Sequence, residues 1–331
     1  MAKARALDKR RKSIRSIRKI TRTMELVATA QFKKAMDRAV AAEAYTERLV
    51  GLVQDLTNSG LELNHPLLVE RKMDRSQKDV ALLVLSANRG MCGGYNAGVM
   101  RLAIQRLKQL QADYAGVHLE VSGKRGIAAF KFRKAELTQS YTHFQDKPTL
   151  EQVTEIADRY LEEFATGKID RLDICYMKFV SLSRQYPVVE TLLPIVSLTA
   201  EGDVNAIKDE GKVDLKRAAM IAGADKVTAS GTDKGAAGLK ARGNAQFEFL
   251  PSPESILEEL IPRAFRSKIF KCFLDAAVGE TIARMVAMKA ATENADKMIG
   301  LFTTAYNRAR QSQITNEILE IISGADALEN A

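Results

Sequence analysis

Proline is missing from both ends of this chain. All seven prolines fall between Pro66 and Pro262, leaving about 60 residues on either side without one. Proline costs roughly 3 kcal/mol in a helix interior, so its confinement divides the chain into helix, mixed domain and helix. Both ends are also rich in Ala, Arg, Lys, Glu, Met and Ile, with apolar residues at helical spacing. At ~1.5 Å per residue a helix of about 55 residues is about 80 Å long, far more than one compact domain needs. Such helices must be solvated arms, a coiled coil or a shaft held by a partner.

Other scarcities exclude whole classes of function. Cysteine occurs only at Cys92, Cys175 and Cys272, too far apart for metal-ligand spacing, and reads as reduced and cytosolic. The three histidines, His65, His118 and His143, are scattered. No metal constellation and no cofactor is expected. No run of about 18 uncharged apolar residues occurs, so no segment is expected to span a membrane. Carboxylates are sparse at the N-terminal end. Residues 1–60 hold 6 Asp+Glu against 14 Lys+Arg, a net +8, whereas the other 271 residues hold 35 against 36, a net +1. Ten of the basic residues lie between Lys3 and Arg22. A basic coiled-coil scaffold for nucleic acid is therefore the alternative reading, although the arm has no aromatic stacking residue before Phe32. A cleaved organellar presequence is disfavoured, because the helical pattern continues past Arg22.

From Ala4 to about Ser59 the apolar positions Ile14, Ile17, Met24, Val27, Ala35 and Ala39 mix heptad and ordinary helical steps, and Gly60 is a plausible stop. The middle alternates strand and helix signals. Val80–Leu85 is a continuous apolar run, as in a strand buried on both faces. A helix over Asn96–Gln111, a strand over Val117–Val121 and a capping box at Thr149–Gln152 opening a helix to about Ala165 follow. Leu172–Leu182 and Val188–Leu198 read as long strands, the second preceded by Pro187. This order predicts an α/β layer with largely parallel pairing. Residues 201–245 carry seven of the 20 glycines and no proline or aromatic residue, and read as a flexible insertion. A strand over Phe247–Leu250, a cap at Ser252 and a second long helix from about Ala264 to Ile322 complete the pattern. The boundaries are accordingly 1–60, 61–263 and 264–331. The two terminal helices are expected to pair antiparallel, with the α/β domain between them in sequence.

Only Arg89–Asn96 invites a catalytic reading. It follows a strand and opens a helix, where phosphate-binding turns sit, but it contains neither a dinucleotide fingerprint nor a P-loop. A tight turn built of small residues accounts for it. Cys92 as a nucleophile, with one of the scattered histidines as base, has no positional support. No catalytic residue is assigned.

Five stretches in register resemble one family. Ile20–Ala30 resembles the first-helix motif of the γ subunit of F-type ATP synthases. Gly90–Asn96 is similar to that family's domain-entry loop, Pro187–Pro194 to its central strand and Pro251–Leu257 to the lead into its last helix. The C-terminal stretch Arg284–Asn294, with Tyr306–Gln311 and Ile314–Glu317, is the most specific. The resemblance implies an antiparallel coiled coil on a Rossmann-like domain, acting as the rotor shaft inside a ring of three α and three β subunits. It implies that the foot binds the ε subunit and the membrane rotor ring, that the chain is peripheral to the membrane through the complex, and that it binds no nucleic acid. It implies that Arg310 and Gln311 meet a loop of a β subunit, that Thr315 and Glu317 share that zone, and that Arg284 and Met24 lie close together where shaft meets ring. The absence of a presequence then favours a bacterial inner membrane, on its cytoplasmic side.

Two features depart from the family. Gln31 stands where Lys is usual, which removes a cation from the first helix. The 201–245 segment falls after Leu193-Pro194, much as the regulatory insertion of chloroplast γ subunits does, yet carries no cysteine pair. A thiol switch is therefore not expected, which leaves a steric or tethering role. Such a role predicts that deleting 201–245 changes ATPase activity or coupling of the assembled complex; unchanged values in both assays would refute it.

Overall fold

The computed structural model describes residues 2–58, 67, 78–144, 147–182, 184–195 and 253–329. The elements are α1 (Ala2–Asn58), β1 (Asp79–Leu85), α2 (Tyr95–Asp113), β2 (Gly116–Ser122), α3 (Lys124–Phe132), β3 (Gln139–Tyr141), α4 (Leu150–Thr166), β4 (Arg171–Ser181), β5 (Arg184–Leu193) and α5 (Pro253–Glu329). They form two units: 1–28 with 285–331, and 29–284. Each long helix contributes to both.

In the larger unit the strand order is β3-β2-β1-β4-β5. β1 pairs parallel with β2 and β4, and β2 parallel with β3, while β4 and β5 are antiparallel. Two of the helical crossovers lead outward from β1 and the third returns to its other side, as in a Rossmann-like sheet. The apolar run of β1 explains its central place, since alternate residues serve two cores. Val80, Leu82 and Val84 pack with α2 and α3. Ala81, Leu83 and Leu85 pack with α4 and with the α5 stripe Ile261, Phe265, Ile269, Cys272 and Phe273.

Local signals set the ends of α4. Thr149 Oγ1 accepts from the Gln152 amide at 3.4 Å, and the Gln152 side chain accepts from the Thr149 amide at 3.3 Å. Gly167, at φ 81°, closes the helix in the left-handed conformation. This is the capping box expected from the sequence.

The structure corrects several other expectations. α5 begins at Pro253 and carries Pro262 inside it, whereas the sequence suggested a helix from Ala264. Burial of Ile261, Ala264 and Phe265 on either side outweighs the lost backbone bond. Pro187 lies within β5 rather than ahead of it, opposite Met177; β5 is the last strand of the sheet order, where a missing donor is tolerated. α3 and β3 have no counterpart in the sequence reading. The expected strand at Phe247–Leu250, the cap at Ser252, the stop at Gly60 and the segment 201–245 lie outside the described residues.

Two buried carboxylates tie the sheet to its helices. Glu120 on β2 is 1% exposed and accepts from Arg159 at 2.9 and 2.7 Å, and from the Tyr141 and Tyr160 hydroxyls at 2.7 Å each. Asp173 on β4 receives Arg106 at 2.8 Å, Arg171 at 2.8 Å and the Thr191 hydroxyl at 2.9 Å. Burial and the Glu120 charge both hold the Tyr160 phenol well above its ordinary range, so it stays a donor.

In the smaller unit the two terminal helices run antiparallel. Arg18 pairs with Asp296, the Thr292 hydroxyl donates to Thr21 Oγ1 at 2.9 Å, and the Arg11 guanidinium lies 4.6 Å from the Tyr306 ring centre. Buried positions step by four and three on both helices: Thr21, Glu25 and Ala28 on α1, and Met288, Thr292 and Ala295 on α5. This is the spacing of a coiled-coil seam, and its Ala and Thr residues permit close approach.

Replacing Glu120 by Ala removes the acceptor of the buried Tyr160 hydroxyl and leaves Arg159 with Glu163 as its remaining carboxylate. The expected cost is about 3–5 kcal/mol in denaturant unfolding, against about 1 kcal/mol for Tyr141→Phe.

Candidate functional site

Two places could carry function: the crevice at the carboxyl ends of the parallel strands, and the surfaces of the terminal helices. In open α/β sheets ligands bind where the strand order reverses, here between β1 and β4. On the neighbouring side, at the carboxyl ends of β1 and β2, the chain takes up its own helix-start donors. At the start of α3, the Lys124 amide donates to Asn88 Oδ1 at 3.1 Å, the Arg125 amide to the Ala87 carbonyl at 3.1 Å and the Gly126 amide to Ser86 Oγ at 2.9 Å. These are the donors that would otherwise hold a phosphate. The Asn88 amide in turn donates to the Phe144 carbonyl, and the Phe144 ring packs tilted against Phe273, with centroids 4.7 Å apart.

The Arg89–Asn96 loop is a tight turn, as its small residues suggested. Met91 (φ 61°) and Gly93 (φ 54°) take left-handed conformations, and Asn96 bridges it by accepting from the Ala87 amide at 3.0 Å and donating to Cys92 Sγ at 3.1 Å. Burial pushes the Cys92 thiol up, which disfavours the thiolate a nucleophile needs. Cys175 and Cys272 are also buried, with thiols raised by desolvation. Among the described residues no group of His, Cys, Asp and Glu is arranged to hold a metal.

The terminal helices present a different chemistry. Arg310, Gln311, Thr315 and Glu317 are all exposed on α5 in the smaller unit. Arg310 has no ion pair among the described residues, whereas Glu317 accepts from Gln313 at 2.8 Å. Around them Ile314, Ile318, Leu319, Ile321 and Ile322 are between 43% and 72% exposed. Apolar side chains grouped in this way mark a surface that something else covers. Met24 is half-buried on α1 in the same unit, beside the seam residues Thr21, Glu25 and Ala28. Arg284 lies in the larger unit, with its side chain 11% exposed and paired to Glu280 one turn earlier. The sequence reading missed Glu280, although its i, i+4 spacing to Arg284 is legible. It also missed the Thr21–Thr292 pair, which depends on the register between helices and joins residues 271 apart in sequence.

Comparison with known proteins identifies the family. The family profile described as ATP synthase matches residues 3–328. The ATP synthase gamma chain of Rhodopirellula baltica is 51% identical over 329 residues, covering 99% of this chain and 100% of the relative. This chain belongs to the ATP synthase gamma chain family. The gamma chain of Leptospira biflexa is 35% identical, with 99% and 100% covered. In fold, the chain is similar to one from Euglena gracilis mitochondrial ATP synthase (OSCP/F1/c-ring), with a TM-score of 0.60, 16% identity and coverage of 99% and 95%. A chain from the central stalk/c-ring of Tetrahymena thermophila mitochondrial ATP synthase gives a TM-score of 0.53, at 18% identity and coverage of 82% and 99%.

Among gamma chains an exposed cation and a paired one should respond differently to truncation. Arg310→Ala is expected to leave unfolding free energy within about 0.5 kcal/mol of wild type. Arg284→Ala is expected to cost roughly 1–3 kcal/mol, because it removes a charge-assisted bond in a half-enclosed site. Chemical denaturation of the purified chain measures both.

Proposed function

We propose that this chain is the central-stalk rotor subunit of a rotary F-type ATP synthase, coupling ion flow through a membrane ring to ATP synthesis or hydrolysis on β subunits. The observation that carries the reading is gamma-chain similarity over 99% of the chain, joined to an exposed apolar C-terminal stretch on α5. Its partners would be the α and β subunits of the hexamer, the ε subunit and the rotor ring. Residues 1–60 and 264–331 would form the shaft and 61–263 the foot. Among the described residues no helix is long and apolar enough to cross a membrane, so attachment would run through the complex. Because the relatives compared above by sequence are bacterial, the location we assign is the cytoplasmic side of a bacterial inner membrane. The relatives named above are ATP synthase gamma chains and give a nucleic-acid scaffold no support.

The chain would perform no bond chemistry of its own. A helix pair without threefold symmetry, inside a ring of pseudo-threefold symmetry, presents a different face to each β subunit. Each site is thereby biased toward a different conformation, and each third of a turn permutes the biases. Coupling by differential contact energy is reciprocal: hydrolysis can turn the shaft, or the shaft can drive synthesis. Arg310 and Gln311 are assigned to a β-subunit loop, through charge-assisted and neutral hydrogen bonds respectively. Thr315 and Glu317 share that zone, and Arg284 and Met24 are placed where shaft meets ring.

Co-expression with α and β subunits of a close relative should yield a stable complex containing this chain. Within that complex Arg310→Ala should lower ATPase activity or coupling roughly tenfold, as loss of one charge-assisted contact implies. Failure to assemble would overturn the reading; assembly with unchanged activity and coupling would remove Arg310 from the contact.

A further inference from the structure

In the larger unit, ionisable side chains from four elements meet against one face of α5. Lys271 on α5 is 2.8 Å from Glu43 of α1 and 3.7 Å from Asp275, one turn further along its own helix. On the sheet side Glu190 of β5 takes Lys178 of β4 at 2.7 Å and Lys268 of α5 at 3.1 Å. Tyr176 of β4 and Cys272 of α5 face the same cluster. Three ammonium groups and three carboxylates balance, but not evenly. Glu190 has two lysines, and Glu43, which is 41% exposed, holds Lys271 at hydrogen-bond distance. Asp275 is 2% exposed, its Oδ2 has no hydrogen-bond partner, and its ion-pair contact is the longer arm to Lys271.

A carboxylate in that position is costly to keep charged, and taking up a proton removes the cost without moving the backbone. We propose that Asp275 is a proton-binding site whose occupancy decides how Lys271 is shared between Glu43 of α1 and its own helix. With the proton bound, Lys271 belongs to Glu43 and ties α5 to α1. With the proton released, Lys271 is drawn toward Asp275 and the tie is weakened. Burial drives the Asp275 carboxyl up to about 7; Lys271 pulls it down, Glu43 and Glu190 push it further up, and Lys178 opposes them. The site therefore changes state around neutrality. The proposal does not depend on the rotor reading, because it concerns a property of the isolated chain.

The direction of the stability effect follows from linkage. The unfolded carboxyl ionises in its ordinary range and the folded one only near neutrality, so between these limits the folded chain holds the extra proton. This group's contribution to stability is then greatest in acid and is lost as pH rises from about 4 to about 7.

The experiment uses the full chain labelled with carboxyl-13C aspartate, the proton itself being the ligand. The signal absent from Asp275→Asn should titrate with a midpoint near neutrality. Glu43→Gln, at a half-exposed position, should move that midpoint down, since it removes a repelling charge and frees Lys271. Lys271→Gln should move it up. The unfolding temperature of Asp275→Asn minus that of wild type should grow between about pH 5 and about pH 8. Should Asp275→Asn fail to fold, Asp275→Glu identifies the same signal by its loss, since the label is carried by aspartate alone. A midpoint below about pH 5, or one that Glu43→Gln leaves unmoved, overturns the proposal.

Discussion

Two helices laid side by side can each bury only one stripe, and most of what is unusual in this protein follows from that limit. In the smaller unit the buried stripe is narrow and made largely of small residues: Thr21 and Ala28 against Thr292 and Ala295, with Met288 as its one large apolar member. Such a seam lets backbones approach, and the Thr21–Thr292 hydrogen bond fixes their register, since a slip by one turn would leave two hydroxyls buried without each other. It cannot also cover Ile17, Ile20, Leu26 and Val27 of α1 or Leu301 of α5, all more than half exposed. An isolated pair of helices with this surface is incomplete, and the proposed ring of α and β subunits would supply the missing cover.

The larger unit has a Rossmann-like topology in which the chain itself takes up the first amide donors of α3. Its parallel strands and crossovers are those of a nucleotide-binding sheet, and fold alone would invite that reading. What decides otherwise is where the first amide groups of α3 point. Ser86 Oγ, Asn88 Oδ1 and the Ala87 carbonyl accept them, all from the segment that follows β1. The glycines here serve packing. Gly123 sits at φ 101° under the Ser86 carbonyl, and a Cβ on Gly126 would collide with Ser86 Oγ. Small residues in a strand-to-helix turn are needed for close packing as much as for phosphate, so their presence in a sequence does not distinguish the two.

What was legible in the sequence was whatever depends on local pattern. The proline-free ends, the apolar run of β1, the capping box at Thr149 and the turn at Arg89–Asn96 each arise from interactions within a few residues, and the structure has them all. What was not legible depends on partners distant in sequence. α5 continues through Pro262 because Ile261 and Phe265 bury against a sheet that the local pattern cannot reveal. β5 accommodates Pro187 because of its place in the sheet order, and β3 exists because three residues can pair with β2. For the candidate site, motifs located Arg284 and Arg310 on α5 but gave no hint that one is paired and the other is not.

That difference bears on how a shaft can do work. A contact couples rotation to a catalytic site only through the energy it gains in one orientation and lacks in another. Arg310, exposed and without an ion pair among the described residues, can deliver nearly the whole of a new charge-assisted bond to a partner loop. Arg284 already holds Glu280, so any bond to a partner replaces one it must give up, and the difference that remains is small. At the proposed meeting of shaft and ring, Arg284 would therefore contribute less to the coupling than Arg310. The two arginines belong to the same run of family motifs, yet a proposed ring contact would gain more from the exposed Arg310 than from the paired Arg284.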